Sequence, residues 1–226
     1  MMDDNINHDQ SNHDKPVENK KKNVRIRADK IKPFRCKNLI AVIERPKLLE
    51  NIGSVIRNAN AFGVEKVYII DPNKNIAEDW QELRERKKLS DYSVSAVKWT
   101  FVKRFDDTDQ CFDHLEKNSF NSAVTSPHIK GKTNILLDEG DYTIDHKLAV
   151  WFGTESCGIS ERAIERSSYC INVPMFGMIE SLNLGTCSGI VLYEVTKQRR
   201  AYQSMYKRRN QRVKRKEPLP KVISPE

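Results

Sequence analysis

Long apolar runs are missing from this 226-residue chain. None approaches the roughly 18–20 residues that a bilayer-spanning helix needs, so no membrane span is expected. The opening MMDDNINHDQ has neither the basic n-region nor the apolar h-region of a secretory signal. A cytoplasmic location is therefore the expectation. Cysteine is sparse: Cys36, Cys111, Cys157, Cys170 and Cys187 are odd in number and scattered, with no C-x-x-C pair. That pattern signals neither a disulfide framework nor a zinc site. Small buried thiols in a reducing compartment are expected instead. His8, His13, His114, His128 and His146 form no ligand pattern either, so no metal is expected. No internal repeat is legible and no second domain is expected.

Charge is plentiful and unevenly placed. The net charge is +8. Residues 1–19 hold five acids and one Lys, whereas residues 20–35 hold eight bases and one acid. Residues 36–196 are mildly acidic, with 19 bases and 23 acids, and residues 197–216 hold ten bases and no acid. Positive blocks flanking a near-neutral middle are a footprint of nucleic-acid binding, with solubility or localisation as the plainer reading. The Asn-, Asp- and His-rich residues 1–19 are expected to be disordered. Residues 20–36 read as a basic arm, 37–206 as the folded domain and 207–226 as a basic tail.

Strand-like and helix-like segments alternate through the domain. Strands are expected at Asn38–Glu44, Lys66–Asp71, Val97–Val102, Ser122–Thr125, Lys147–Phe152 and Tyr169–Val173. Helices are expected at Asn51–Phe62, Ala77–Leu89, Asp107–Asn118, a short piece opened by Ser160, and a long one from Ser181 to about Met205. This order predicts an α/β domain with a parallel sheet flanked by helices.

Three segments at or near predicted strand ends carry possible chemistry, because ligands bind at that edge of open α/β sheets. In Asn51-Ile-Gly-Ser-Val-Ile-Arg57, Gly53 and Ser54 allow close backbone approach to a ligand, and Arg57, nearly two helical turns after Asn51 and so expected within reach of the same face, is either functional or an ordinary surface arginine. In Trp151-Phe-Gly-Thr-Glu-Ser-Cys-Gly-Ile-Ser160, Gly153 removes a side chain where something flat can lie against the backbone, and Glu155 caps a helix or binds a ligand. In Pro174-Met-Phe-Gly-Met-Ile-Glu-Ser-Leu-Asn183, Ser181 and Asn183 open a helix and also read as simple caps. Gly185, Ser188 and Gly189 follow. Each helical glycine costs about 1 kcal/mol relative to alanine, which close packing would offset.

Together these segments resemble the SpoU (TrmH-type) class of the SPOUT RNA methyltransferases. The family's first motif spaces an Asn and an Arg as Asn51 and Arg57 are spaced. Its second, F-G-x-E, is matched by Phe152, Gly153 and Glu155. Its third, I-P-M-x-G-x-x-x-S-L-N, is matched by Val173-Pro-Met-Phe-Gly-Met-Ile-Glu-Ser-Leu-Asn183. The likeness spans roughly residues 37–206, with the motifs in the same order.

The resemblance implies a deep C-terminal trefoil knot and a homodimer with each active site near the subunit interface. It implies S-adenosylmethionine as methyl donor, held by Thr125, Gly153, Val173 and Leu182. Arg57 is then the central catalytic residue, with Asn51, Glu155, Ser181 and Asn183 shaping the site around it. The implied reaction is 2′-O-methylation of ribose in RNA. The third segment is most like the branch that methylates a tRNA D-loop guanosine; ribosomal RNA methylation and a non-catalytic knotted RNA-binding protein are the alternatives. On the same view the small residues of the last helix pack at the knot or the dimer interface. Two positions depart from the family pattern: Ser156 stands where Gly is usual, and Leu184-Gly185-Thr186 stands where Val-Ser-Val is usual.

Overall fold

The computed structural model describes residues 15–74, 76, 80–131, 133–154 and 156–215. Residues before Arg35 form a unit of their own. Its helix α1 runs from Lys15 to Ile31 and ends in a 3-10 turn at Lys32–Phe34. Residues 15–19, expected to be disordered, are thus helical, as is most of the basic arm. Pro16 lies in the first turn, where a missing N–H costs nothing. The rest of the acidic tail, residues 1–14, lies outside the described residues.

In the second unit the elements follow as β1 (Cys36–Glu44), α2 (Leu49–Ala61), β2 (Val64–Ile70), α3 (Trp80–Glu85), α4 (Lys87–Tyr92), β3 (Phe101–Phe105) and α5 (Thr108–Lys117). After them come β4 (Asn121–Ser126), β5 (Asn134–Leu136), β6 (Leu148–Phe152), α6 (Glu161–Arg166), β7 (Tyr169–Asn172) and α7 (Leu184–Arg215). The strands form one sheet in the order β3-β2-β1-β6-β4-β7-β5. Every pairing in it is parallel.

Both faces of the sheet are covered, which is why its central strands are apolar throughout rather than alternating. Leu39, Ala41 and Ile43 of β1 join Val55, Ile56 and Ala59 of α2 and Val191, Leu192 and Val195 of α7 in one core. Ile40 and Val42, pointing the other way, join Phe112 of α5, Trp151 of β6 and Ala163 of α6 in a second. Phe112 stacks on Trp151 with ring centroids 4.1 Å apart.

Several boundaries differ from the sequence reading. The expected helix at Ala77–Leu89 is two short helices, separated where Arg86 turns extended at φ −63°, ψ 104°. That break re-aims α4 so that Leu89 is fully buried in the core. The strand expected at Val97–Val102 begins only at Phe101. Val94 and Ser95, both at positive φ, open a tight turn that buries Ala96 and Val97 instead. The three-residue edge strand β5 went unread. Helix α7 passes the expected boundary at 206 and reaches Arg215, since no glycine or proline interrupts residues 190–215; residues 216–226 lie outside the described residues. Among the described residues no helix is long and apolar enough to cross a membrane.

Strands β1, β2 and β3 step outward on one side, and then the chain returns so that β6 and β4 lie on the other side of β1. Crevices form beyond the carboxyl ends of strands where the order reverses in this way.

Candidate active site

At that edge, the segments leaving β4, β6 and β7 enclose a cavity of about 360 Å³. Thr125, Gly153, Val173 and Leu182, drawn from three separate stretches of sequence, all line it, and Ser181 joins them. The wall is mixed: Phe152, Met175 and Leu184 are apolar, and Ser126 and Thr154 are polar. Cys187 also lines it, and burial pushes its thiol up to about 11, so it is a neutral wall group.

Two lining residues owe their identity to the protein itself. The Thr125 hydroxyl donates to the Trp151 carbonyl at 2.8 Å, fastening β4 to β6. At Gly153 the expectation was a surface left open for a flat ligand. Instead the loop folds back on itself, with Thr154 and Gly158 exchanging backbone hydrogen bonds of 3.0 and 2.9 Å. A Cβ on Gly153 would lie 2.2 Å from the Gly158 carbonyl carbon and from the Ile159 amide nitrogen. Gly53 likewise faces no ligand: a Cβ there would lie 2.5 Å from Cβ of Tyr92 in α4.

Asn183 caps α7, its side-chain oxygen accepting from the amides of Gly185 (2.8 Å) and Thr186 (3.3 Å). Ser181 precedes the helix rather than opening it. The Asn183 amide also donates to the Asn51 side-chain oxygen at 3.1 Å, so the first and third motifs meet directly. The small residues of α7 pack within the chain against α2. Asn58 donates to the Gly185 carbonyl at 2.7 Å and contacts the Ser188 hydroxyl at 3.0 Å. A Cβ on Gly185 would come within 2.8 Å of Ser54. The unusual Gly185 is therefore accounted for by α2, and the unusual Ser156 accepts from Lys47 Nζ at 2.6 Å.

Arg57 is apart from this group. It is exposed on α2, whereas Asn51 on the same helix is buried, and it does not line the cavity. Six residues turn a helix by about 240°, which separates their faces. Glu155 lies outside the described residues. The basic block at 197–216 also loses two members to structure. Arg199 is only 5% exposed and donates to the carbonyls of Tyr142, Asp145 and His146 at 2.7–2.8 Å. Burial pulls its guanidinium below its usual value. Arg200 donates to the Phe62 carbonyl. Both are internal braces rather than free phosphate grips.

Sequence reasoning missed the residues that hold the cavity loops. Glu44, at the end of β1, is buried and accepts from the Ser160 amide (2.8 Å), the Ser160 hydroxyl (2.7 Å) and the Thr108 hydroxyl (2.6 Å). Asn172, also buried, donates to the carbonyls of Ser126 (2.9 Å) and His128 (2.8 Å), fixing the loop after β4. The available signal was a polar residue ending an otherwise apolar strand.

The SpoU rRNA Methylase family matches residues 38–193. The chain belongs to that family. Two relatives show its range. The tRNA (guanosine(18)-2′-O)-methyltransferase of Thermus thermophilus is 25% identical over 175 residues, covering 77% of this chain and 82% of the relative. The 23S rRNA (guanosine-2′-O-)-methyltransferase RlmB of Coxiella burnetii is 29% identical over 163 residues, covering 72% and 60%. In fold, the A. aeolicus TrmH/SpoU tRNA modifying enzyme superposes with a TM-score of 0.65 at 24% identity, over 81% of this chain and 87% of that one. The SpoU methyltransferase AviRb from Streptomyces viridochromogenes, solved with AdoMet, gives 0.60 at 22% identity, over 73% and 62%. The match to the SpoU family takes in β1 through the first turns of α7, and hence every strand that borders the cavity.

Proposed function

We propose that this protein transfers a methyl group from S-adenosylmethionine to a ribose 2′-hydroxyl of RNA, with a D-loop guanosine of tRNA as the favoured target. The observation that carries this reading is the cavity itself. Its volume, about 360 Å³, lies in the range of small-molecule sites. Its apolar and polar walls suit a donor with an aromatic base and a polar amino-acid end. Thr125, Gly153, Val173 and Leu182 are the residues that hold the donor. The bound donor supplies an already activated methyl, so the protein's task is mainly alignment.

Arg57 is the essential charged group. Its planar, multi-donor guanidinium is suited to holding a substrate phosphate and stabilising charge on the attacking oxygen. Asn51, Ser181, Asn183 and Glu155 shape the surrounding pocket. Since Arg57 stands outside the cavity of its own chain, a homodimer completes the site: Arg57 of the partner subunit serves the donor bound here. Phe176 and Met178, in the loop between β7 and α7, are 95% and 97% exposed, and they supply an apolar surface for that pairing. The reading includes a trefoil knot through β6, β7 and α7. Its support is that β7 lies beyond β4 while α7, which follows it, returns to pack on α2.

A tRNA is favoured over ribosomal RNA because the match extends over 82% of the Thermus tRNA enzyme but only 60% of the Coxiella ribosomal one. The test is methyl transfer from labelled donor to unmodified tRNA and rRNA, with nucleoside mass spectrometry locating the product. Transfer to the 2′-oxygen of a tRNA guanosine is expected. Transfer to neither RNA, or failure to bind the donor in calorimetry, overturns the enzymatic reading.

A further inference from the structure

A second cavity, of about 250 Å³, lies at the opposite end of the sheet. The starts of β2 and β3, the last turn of α5 and the approach to β4 form it. Its walls alternate cation and ring. In the parallel pairing of β2 with β3, Lys66 stands beside Phe101 and Tyr68 beside Lys103. The period of two puts all four on the face that meets α5. His114 and Phe120 complete the ring side. The His114 ring lies 5.6 Å from Tyr68, whose hydroxyl is 3.3 Å from Nε2. Lys147 Nζ sits 5.6 Å from the centre of the Phe120 ring.

Among the described residues, no carboxylate lines this cavity. The local field is correspondingly positive: burial first, then Lys103, Lys66 and Lys117, hold the His114 imidazole below its ordinary value. Lysines on an exposed edge strand often serve only to block strand pairing. That accounts for Lys103 on edge strand β3, but not for Lys66, because β2 lies inside the sheet. Nor does it explain why Phe101 remains 41% exposed beside them. Rings with adjacent cations are the chemistry that binds unpaired nucleotides, the base on the ring and the phosphate on the cation. A bare anion or an acidic peptide would leave the rings unused.

We propose that this cavity takes one unpaired nucleotide of the RNA, distinct from the nucleotide that is methylated. Its base lies against Phe101 and Phe120 and its phosphate meets Lys66 and Lys103. The proposal rests on the RNA reading above. The seven residues of β2 span roughly 20 Å, so a single RNA reaches from this cavity to the donor edge of the sheet.

The test uses the full chain. A short 5′-phosphorylated single-stranded oligoribonucleotide is titrated against the His114 ring signals in NMR, with inorganic phosphate as the second probe. Unmodified tRNA affinity is then measured across a salt series. Saturable movement of the His114 signals by the oligonucleotide is expected. Replacing Lys66 and Lys103 together by alanine should weaken tRNA binding about tenfold near physiological salt and flatten the salt slope by about one to two. Phe101→Ala should cost at least about fivefold. The corresponding Lys→Arg variants should retain affinity, and donor affinity and melting temperature should not move in any of them. Unchanged tRNA affinity and salt slope in the double alanine variant overturns the proposal. So does equal movement of His114 by phosphate alone with no loss in Phe101→Ala, which marks a simple anion site. In either case continued methylation of RNA leaves the enzymatic reading standing, whereas absence of methylation on any RNA strikes that reading instead.

Discussion

The Glu44 carboxylate grips Ser160 twice, accepting from its amide at 2.8 Å and from its hydroxyl at 2.7 Å across 116 positions of sequence. Ser160 in turn caps α6, its hydroxyl oxygen accepting from the Ala163 amide at 3.2 Å. Glu44 therefore anchors the far end of the loop that begins at Gly153 and forms one wall of the cavity proposed for the donor. Because Glu44 is buried, its loss leaves the half-buried Ser160 and Thr108 donors without their acceptor. Glu44→Ala should destabilise the protein by about 1–3 kcal/mol and weaken donor binding. Ser160→Ala should cost about 1 kcal/mol as a lost cap. Denaturant melts and donor calorimetry on both variants check this. Donor affinity equal to wild type in Glu44→Ala would show that the anchor does not reach the cavity.

How far this arrangement is legible in sequence depends on the range of the interaction. The apolar runs in β1, β2, β6 and β7 announce a parallel sheet, since a strand buried on both faces must be apolar throughout. Asp107 and Ser160 are readable as caps because a cap acts within one turn, and both accept from an amide three residues on. Glu44, Asn172 and Arg199 were not readable. Their partners lie tens of residues away or more, and only the folded topology brings them together. The glycines mislead for the same reason: Gly53 and Gly153 looked like places for close approach of a ligand, and each is filled by the protein's own backbone or side chains. Arg57 shows the limit of spacing alone, since its motif partner Asn51 lies on a different face of α2.

Gly153 admits a sharp test. An alanine Cβ would sit 2.2 Å from two backbone atoms of the returning loop. No side-chain rotation relieves that contact, so the loop from 154 to 159 must move. Gly153→Ala should lose donor affinity by about tenfold or more, with a stability cost of about 1–3 kcal/mol from overpacking. Gly177→Ala serves as the control, because nothing lies within 4 Å of a Cβ built there. Equal donor affinity in the two variants would mean that the tight turn at 153 does not shape the cavity.

The contact between α5 and α6 should make part of the stability dependent on pH. Arg166 reaches Asp109, Asp113 and Glu116 at 2.8–2.9 Å, and Arg162 also meets Asp109. Hydrogen bonds from Arg166 and then Arg162 hold the Asp109 carboxyl below its ordinary value. A carboxyl depressed on folding stabilises the protein above its unfolded pKa, about 4. That contribution is lost as pH falls through the lower folded value. Asp109→Asn should therefore melt below wild type at neutral pH, and the gap should close in strong acid. A gap that stays constant from neutral pH to pH 3 would exclude the linkage.

Arg57 offers the decisive test of a shared site. Arg57→Ala should bind the donor normally, because Arg57 does not line the cavity, yet transfer little or no methyl group. Gly153→Ala should show the opposite defect, with poor donor binding and an intact arginine. If each site combines the cavity of one chain with Arg57 of the partner subunit, mixing the two inactive variants under conditions that exchange subunits should restore activity. In a mixed dimer one of the two sites is then complete, so with random exchange roughly a quarter of the wild-type activity is expected, half of the dimers being mixed. If the cavity and Arg57 of the same chain work together, both sites of the mixed dimer stay defective and no activity returns. A mixture that remains inactive after mass spectrometry has shown mixed dimers would rule out the shared site and leave Arg57 acting within its own chain.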